Sequence, residues 1–419
     1  MNHEAVVLAA DVSEARASPS PQEDAQRLFL ISKAPPIGVM VHNVAAFNGV
    51  KWPIVFEYFR NQTARLQMKV DDAYVRLVEF LQKAQYVSDF GMDRSVEIEN
   101  FRQYVLGFTE GLFSVLDAVG WDPTFALTDR TVNLALADYA HDIRTEYVYD
   151  SLEAETRPRN HTEPTEGLIT LFRDQFPQNF AEAVRYMCEA RGVDPALALF
   201  SPETAARIQD LALTSCLVEW VPPALEGAAA GVVVAGFDPG HPYPQAISFR
   251  LYPSFGGLLK ITARRRDRID ANWRRSAAIR TYARSEVIDG FVYAIDPKAA
   301  AAVAHEIRYY TSELKANLYN LGLDLRPGDR ARVEKLFNDH KAAAPDILIK
   351  AMQTLPAWRN FGQLYNQVRL AAPGPLTDVA AKMLSLSRLG LDLTAQPPGQ
   401  RPIQRLTLTR DGHAFSESL

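Results

Sequence analysis

Cysteine is scarce in this sequence, with only Cys188 and Cys216 among its 419 residues. Two cysteines cannot form the disulfide framework of a small secreted domain, and no Cys-x-x-Cys spacing indicates a metal site. The eight histidines are scattered, without the His-x-x-x-His spacing that is typical of zinc ligands on a helix. The sequence therefore predicts no metal and no cofactor, and it favours a reducing compartment.

Long apolar runs are also missing. No segment approaches the roughly 18 apolar residues that a membrane span needs. The opening Met1-Asn-His-Glu-Ala lacks the basic and apolar regions of a signal peptide. We therefore expect a soluble cytoplasmic protein with no membrane partner. Its length predicts two or three domains, or one domain with a large insertion.

Charge of one sign is not in large excess, since the formal net charge is −5. Such a balance gives no global attraction to nucleic acid. The local exception is a basic cluster, Arg264–Arg268 with Arg274 and Arg275 around Trp273. Several cations on one face can bind phosphates, but the pattern is also typical of a solvated loop or helix, or of an intersubunit surface. We favour the second interpretation, so nucleic acid is not expected as a partner.

Short apolar runs predict strands near both ends and in the middle of the chain. They are Glu4–Ala10, Arg27–Ser32, Ile37–Val41, Gly231–Gly236, Gln245–Leu251, Leu258–Thr262 and Gln404–Thr409. The first three are expected to form the edge of one mostly antiparallel sheet. Apolar residues at helical spacing predict helices over Pro53–Arg65, Asp71–Tyr86, Ser95–Val119, Thr165–Arg191, Pro202–Leu217, Ser285–Tyr293, Lys298–Leu321 and Leu376–Leu389. Alternating blocks of strands and helices indicate a layered α+β fold.

The first forty residues carry the most informative pattern. The run Ala5-Val-Val-Leu-Ala-Ala-Asp11 ends in an acid, and after a loop Arg27-Leu-Phe-Leu-Ile begins with a cation. This order, followed by Ile37-Gly-Val-Met-Val, resembles the opening of proteasome β-type subunits. Other short segments resemble a group of uncharacterised bacterial proteasome-like proteins. They are Gly38–Pro53, Val234–Asp238, Ser248–Leu251, Ile279–Ile288, Gly290–Pro297 and Leu406–Gly412.

The chain thus resembles the proteasome-type Ntn-hydrolase superfamily, as a diverged or N-terminally truncated member. In that family an acid and a lysine flank an amino-terminal threonine, whose own α-amine serves as the base that activates its hydroxyl. Asp11 matches the acid, and Arg27 falls at the position of the lysine. The resemblance therefore implies that Asp11 and Arg27 are the catalytic residues that this sequence retains.

Two departures from the family pattern affect the predicted activity. By the register of Asp11, the threonine would lie upstream of Met1, so either the gene start was placed too late or the nucleophile is missing. Arg27 is charged at any accessible pH and is not interchangeable with lysine in a tight site. Ser285 is only a weak match to the supporting residues of the family, and His42 is interpreted as a packed or surface histidine. We therefore expect an impaired site.

The resemblance implies an α+β fold with a four-layer αββα sandwich and a large helical insertion. The core would comprise residues 1–58 and 226–419, and the insertion 59–225. The predicted function is hydrolysis of an amide or peptide bond if a threonine precedes Met1. The alternative is a catalytically dead pseudoenzyme that acts as a scaffold or binding module. The family also implies a ring-like homo-oligomer, and a peptide or amide substrate if the protein is active.

Overall fold

The computed structural model of the protein describes residues 1–11, 26–64, 66–82, 94–121, 126–149, 164–218, 220–222, 225, 228–269, 277–280, 332–333, 335–336, 358–392, 403–411 and 414–418. The chain divides into two compact units. One contains Met1–Val7 and Ile269–Ile403, and the other contains Leu8–Arg268 and Gln404–Leu419. The boundaries expected from the sequence, at residues 58 and 225, stay a prediction.

The larger sheet of the second unit is antiparallel. Its strands are β2 (Leu28–Lys33), β3 (Pro36–His42), β6 (Ala230–Phe237), β7 (Pro244–Leu251) and β8 (Ile261–Arg268). They lie in the order β2-β3-β6-β7-β8. A short hairpin, β4 (Ala46–Phe47) and β5 (Val50–Lys51), follows β3. Nearly every residue of β3 and β6 is buried, as expected of central strands that are covered on both faces.

Two helices, α1 (Trp52–Thr63) and α2 (Val70–Gln82), cover one face of this sheet. Alternate residues of a strand point to the same face, and Ile37, Val39 and Val41 of β3 belong to the core that these helices complete. The face of α2 that the sequence predicts is buried in full, and its residues are Tyr74, Leu77, Val78 and Leu81. Helical periodicity therefore identified this layer correctly.

A second sheet contains β1 (Ala5–Asp11), β9 (Ile403–Thr409) and β10 (Ala414–Ser418), in the order β1-β9-β10. It contacts the larger sheet at Gly38 of β3. A Cβ atom on Gly38 would lie 2.7 Å from the Leu406 side chain, with Leu408 and Leu8 next nearest. Because glycine has no side chain, the backbone of β3 can approach the apolar side chains of the smaller sheet.

In the described part of the chain, five further α-helices precede β6. They are α3 (Arg94–Ala118), α4 (Asp129–Tyr149), α5 (Glu166–Asp174), α6 (Phe176–Arg191) and α7 (Pro202–Leu217). Thr165 and Ser201 cap α5 and α7 by accepting hydrogen bonds from backbone amides of the first turn. Gly192, at φ 65°, ends α6 in the left-handed conformation. These helices form an apolar core of their own around Phe108 and Leu112.

The connection between β7 and β8 attaches these helices to the sheet. Glu97 of α3 accepts a hydrogen bond from the Gly256 amide at 2.6 Å. The Asn48 side chain exchanges two hydrogen bonds with Ser254, of 2.6 Å and 3.0 Å. Gly256 has φ 58°, and a Cβ atom there would lie 2.6 Å from Leu168 Cα. Polar contacts and a close backbone approach therefore fix the junction between the helices and the larger sheet.

The first unit contains α8 (Trp358–Leu370) and α9 (Pro373–Asp392). Asn2 is fully buried, and its amide donates to the carbonyl oxygens of Val368 at 2.8 Å and Ala371 at 2.7 Å. Its side-chain oxygen accepts from the Ala5 amide at 3.0 Å. Ala5 itself packs with Val368 and Leu376. A single asparagine thus joins the start of β1 to the α8–α9 turn.

The α+β class is confirmed for the described residues, which contain nine helices and antiparallel sheets. The expectation that the first three strands share one sheet is wrong, because β1 pairs with β9 while β2 and β3 belong to the larger sheet. The segment 165–191 forms two helices, with Pro177 in the first turn of the second. The helices predicted at 285–293 and 298–321 lie outside the described residues.

Candidate functional site

Arg27 lies immediately before β2 and is only 7% exposed. Its guanidinium donates to the Val44 carbonyl oxygen, which also accepts from the Trp52 indole at 3.2 Å. The Arg27 amide donates to the Gln404 side chain at 2.8 Å, and its carbonyl oxygen accepts from the Val41 amide at 2.9 Å. The predicted cation is therefore buried and bonded to Val44, just after β3, while the backbone of Arg27 is bonded to Gln404 of β9.

Asp11 is the last residue of β1. Its backbone is in the described part of the chain, whereas its side chain is outside it. β1 lies beside β9 in the smaller sheet, and Gln404, the second residue of β9, accepts a hydrogen bond from the Arg27 amide. The smaller sheet thus contains Asp11 and also contacts Arg27. A direct contact between the two side chains stays a prediction.

His42 ends β3 and faces Gly231 across the strand pair, and Gly231 in turn faces Arg250. A Cβ atom on Gly231 would lie 1.8 Å from the imidazole ring, so the ring rests over the glycine. The pKa of His42 is lowered to about 4, mainly by burial and to a smaller extent by the charges of Arg250 and Arg27. A hydrogen bond to Asn43 acts in the opposite direction. His42 is thus a half-buried, neutral imidazole at neutral pH.

The basic cluster differs from its sequence interpretation. Residues 261–268 form β8, so the arginines there are on a strand and not on a loop or helix. Arg266 forms an ion pair with Asp71 of α2, and Arg268 lies 3.8 Å from the same carboxylate. Arg265 lies 3.5 Å from Asp267. Carboxylates therefore accompany Arg265, Arg266 and Arg268. The Arg264 side chain, Trp273, Arg274 and Arg275 lie outside the described part of the chain.

The other candidate residues from the sequence indicate no further functional site. Ser285 lies outside the described residues. Cys188 and Cys216 are free thiols, buried in α6 and α7. Within the described ranges, no three His, Cys, Asp or Glu side chains are placed to hold a metal ion. Among the same residues, no helix is long and apolar enough to span a membrane.

Lys260 is a buried cation that sequence reasoning did not single out. It lies between the β7–β8 turn and β8, and it is only 7% exposed. Its ammonium donates to the carbonyl oxygen of Ser215, near the end of α7, at 2.7 Å. Forty-five residues separate the two in sequence, so no local pattern could have indicated their contact.

Comparison with known proteins gives no match to a protein-family model, to a curated protein or to a solved structure.

Proposed function

We propose that this chain is a proteasome-like Ntn-hydrolase homologue, built on an αββα sandwich with a helical insertion at about residues 59–225. The observation that carries the proposal is the position of Arg27. The residue that the sequence aligns with the family's lysine is buried at the start of β2 and contacts β9 of the second sheet. Two further observations support the same fold. The two sheets contact each other at Gly38, and helices α1 and α2 pack on the larger sheet.

The proposed activity, if a threonine precedes Met1, is hydrolysis of an amide or peptide bond by that threonine. The threonine hydroxyl oxygen would attack the carbonyl carbon while its α-amine takes the hydroxyl proton. The C–N bond then breaks, the amine leaves with that proton, and water hydrolyses the remaining ester. Asp11 would orient the threonine and balance charge, and Arg27 would stabilise the negative charge that develops on oxygen.

The second candidate function is a catalytically dead scaffold or binding module. It is favoured by the contacts of Arg27, whose guanidinium binds the Val44 carbonyl beside Trp52. A cation used in this way fixes the chain between β3 and α1. Arginine also cannot exchange a proton as a lysine does. In this case the fold would be retained for assembly, as a ring-like homo-oligomer in the cytoplasm.

Two measurements separate these functions. Intact-mass spectrometry of protein purified from its native source reads the amino terminus directly. A peptide epoxyketone, which condenses with both the amine and the hydroxyl of an amino-terminal threonine, then reports the nucleophile. Labelling together with turnover of fluorogenic peptides supports the hydrolase. A native amino terminus without threonine, and no turnover, supports the scaffold, for which sedimentation must then show an oligomer.

Substitution of Arg27 tests its role in the hydrolase. We expect Arg27→Met to lower turnover by about a hundredfold, the effect of removing one charge that stabilises an oxyanion. Arg27→Lys should keep most of the turnover. Arg76→Met is the matched control, because Arg76 is an exposed residue of α2. Circular dichroism must first show that each variant is folded. Equal turnover of Arg27→Met and the control would remove Arg27 from the mechanism.

A further inference from the structure

A row of side chains crosses one face of the larger sheet at the end of β3. His42 of β3 lies opposite Gly231 of β6, and Gly231 lies opposite Arg250 of β7. Arg250 in turn lies opposite Thr262 of β8. Residues paired in this way point to the same face of a sheet, and each step across the sheet is about 4.8 Å. Arg250 and Thr262 are therefore immediate neighbours, and His42 is two steps away from Arg250.

This face of the sheet is the one opposite to α1 and α2. Phe249 and Leu251, the neighbours of Arg250 along β7, belong to the core that these helices complete, so Arg250 points to the other face. Arg250 is exposed, and Thr262 and His42 are partly exposed. A ligand in solution can therefore reach the row at Arg250.

The glycine in the row brings the imidazole towards Arg250. A Cβ atom on Gly231 would lie 1.8 Å from the His42 ring, so the ring occupies the space of the missing side chain. Among the described residues, the charges that act on this ring are those of Arg250 and Arg27, and no carboxylate is among them. The row is therefore positively charged around a neutral imidazole.

Arg250 is the cation that the row offers to a ligand. Within the described part of the chain, its guanidinium forms no ion pair and no hydrogen bond, whereas that of Arg27 donates to the Val44 carbonyl oxygen. The paired N–H donors of a guanidinium match the two oxygens of a carboxylate, and the Thr262 hydroxyl can donate one further hydrogen bond. One guanidinium balances one carboxylate, while a phosphate carries more charge and needs more cations. The row therefore suits a carboxylate.

We propose that Arg250 and Thr262 bind a carboxylate of a peptide, with the His42 ring as the neighbouring wall of the site. An acidic side chain and a carboxyl terminus both present this group. Because Arg27 lies close to the same imidazole, the row would select substrates of the proposed hydrolase that carry a carboxylate near the cleaved bond. That selection rests on the proposed function, whereas the binding of the carboxylate does not.

The test measures binding of three peptides to the full chain by NMR of labelled histidine side chains, which detects weak binding. Ac-Ala-Glu-Ala-NH2 carries an acidic side chain, Ac-Ala-Gln-Ala-OH carries a free carboxyl terminus, and Ac-Ala-Gln-Ala-NH2 is the neutral match. The His42 signal is identified by its loss in His42→Gln. We expect a charged peptide to bind about tenfold more tightly than the neutral one, and the His42 signal to shift as it binds.

Variants and salt decide whether Arg250 is responsible. In Arg250→Gln the preference for charged peptides should be lost, whereas Arg76→Gln, a substitution of an exposed arginine on α2, should retain it. Circular dichroism must show that both variants are folded. In the wild type alone, the preference should fall as NaCl is raised from about 50 mM to about 500 mM.

Three results would overturn the proposal. They are equal binding of charged and neutral peptides by the wild type, an unchanged preference in folded Arg250→Gln, and displacement of the peptide by inorganic phosphate at lower concentrations than by acetate. Substrate selection is measured separately, with two fluorogenic peptides that have glutamate or glutamine before the cleaved bond. Faster cleavage of the glutamate peptide supports it, and equal cleavage refutes it. Absence of cleavage in both counts against the hydrolase alone, because the binding measurement decides the carboxylate site independently.

Discussion

Lys260→Met should make the protein more stable at neutral pH, although the substitution removes a hydrogen bond. Methionine has nearly the same length as lysine and is adaptable in a core. It would fill the same space against the Tyr104 ring without a charge. The wild-type ammonium is buried without a carboxylate partner in the described part of the chain, and an uncompensated buried charge opposes folding.

The magnitude follows from the pKa of Lys260, which burial lowers from 10.5 to about 8. One pKa unit corresponds to about 1.4 kcal/mol, so keeping the charge in the folded state costs about 3 kcal/mol. The loss of the bond to the Ser215 carbonyl offsets about 1 kcal/mol of this. We therefore expect Lys260→Met to raise the free energy of unfolding by about 2 kcal/mol at pH 7.

The sign of the pH dependence is fixed by the direction of the pKa change. Because the folded pKa of Lys260 is lower than the unfolded one, the unfolded chain binds the extra proton between about pH 8 and 10.5. The wild-type penalty is thus complete below pH 8 and disappears as the pH rises through this window. The advantage of the Lys260→Met variant should shrink over the same range.

Urea unfolding of the wild type and the variant from pH 6 to pH 10 measures this difference directly. Lys69→Met is the control, since Lys69 is exposed, and it should change stability by less than about 0.5 kcal/mol. A Lys260→Met variant that is less stable than the wild type at pH 7, with a difference that does not vary with pH, would refute the reasoning. Lys260 would then be a net stabilising contact.

Two glycines test the close approaches in the fold by urea unfolding. Gly256→Ala should lower the free energy of unfolding by about 3 kcal/mol, because the new Cβ atom would lie 2.6 Å from Leu168 Cα and φ is 58°. Gly240 has φ 72° but open space around it, so Gly240→Ala should lower the free energy of unfolding by only about 1 kcal/mol. Equal losses in the two variants would contradict the proposed backbone clash. Gly231→Ala should lower the free energy of unfolding by about 2 kcal/mol, because the new methyl group displaces the His42 ring. Adding His42→Ala to this variant should restore part of the lost stability. If the effects of the two substitutions on the free energy of unfolding are strictly additive, the contact is excluded.

Elements with a buried face were predictable from the sequence, whereas exposed edges were not. The apolar face of α2 and the apolar run of β6 match the structure because burial imposes a period on the sequence. β8 was expected at 258–262 but occupies Ile261–Arg268, since an edge strand tolerates charges that mask its pattern. β10, Ala414–Ser418, is similarly polar and is absent from the strands that the sequence predicts.

For the candidate site, the sequence predicted one residue but not the residues that surround it. The resemblance to the family indicated Arg27, and the structure places this residue immediately before β2, in contact with Val44 and Gln404. It could not identify the neighbours, because Val44, Gln404 and His42 reach the site only through the sheet register. Lys260 had no signal at all, since a lone lysine between apolar residues is also typical of an exposed strand position.

The attachments of the helical region converge on one short segment, the connection between β7 and β8. The Ser254 carbonyl oxygen accepts from Asn100 of α3, Gly256 bonds to Glu97 of the same helix, and Lys260 bonds to the end of α7. Phe255, between the first two, packs on Tyr104 of α3 at 5.1 Å between ring centroids. Ser254 and Gly256 stabilise the junction, whereas Lys260 brings a buried charge into it. Lys260→Met should therefore strengthen the contact between the helices and the sheet, whereas substitutions of Ser254 or Gly256 should weaken it.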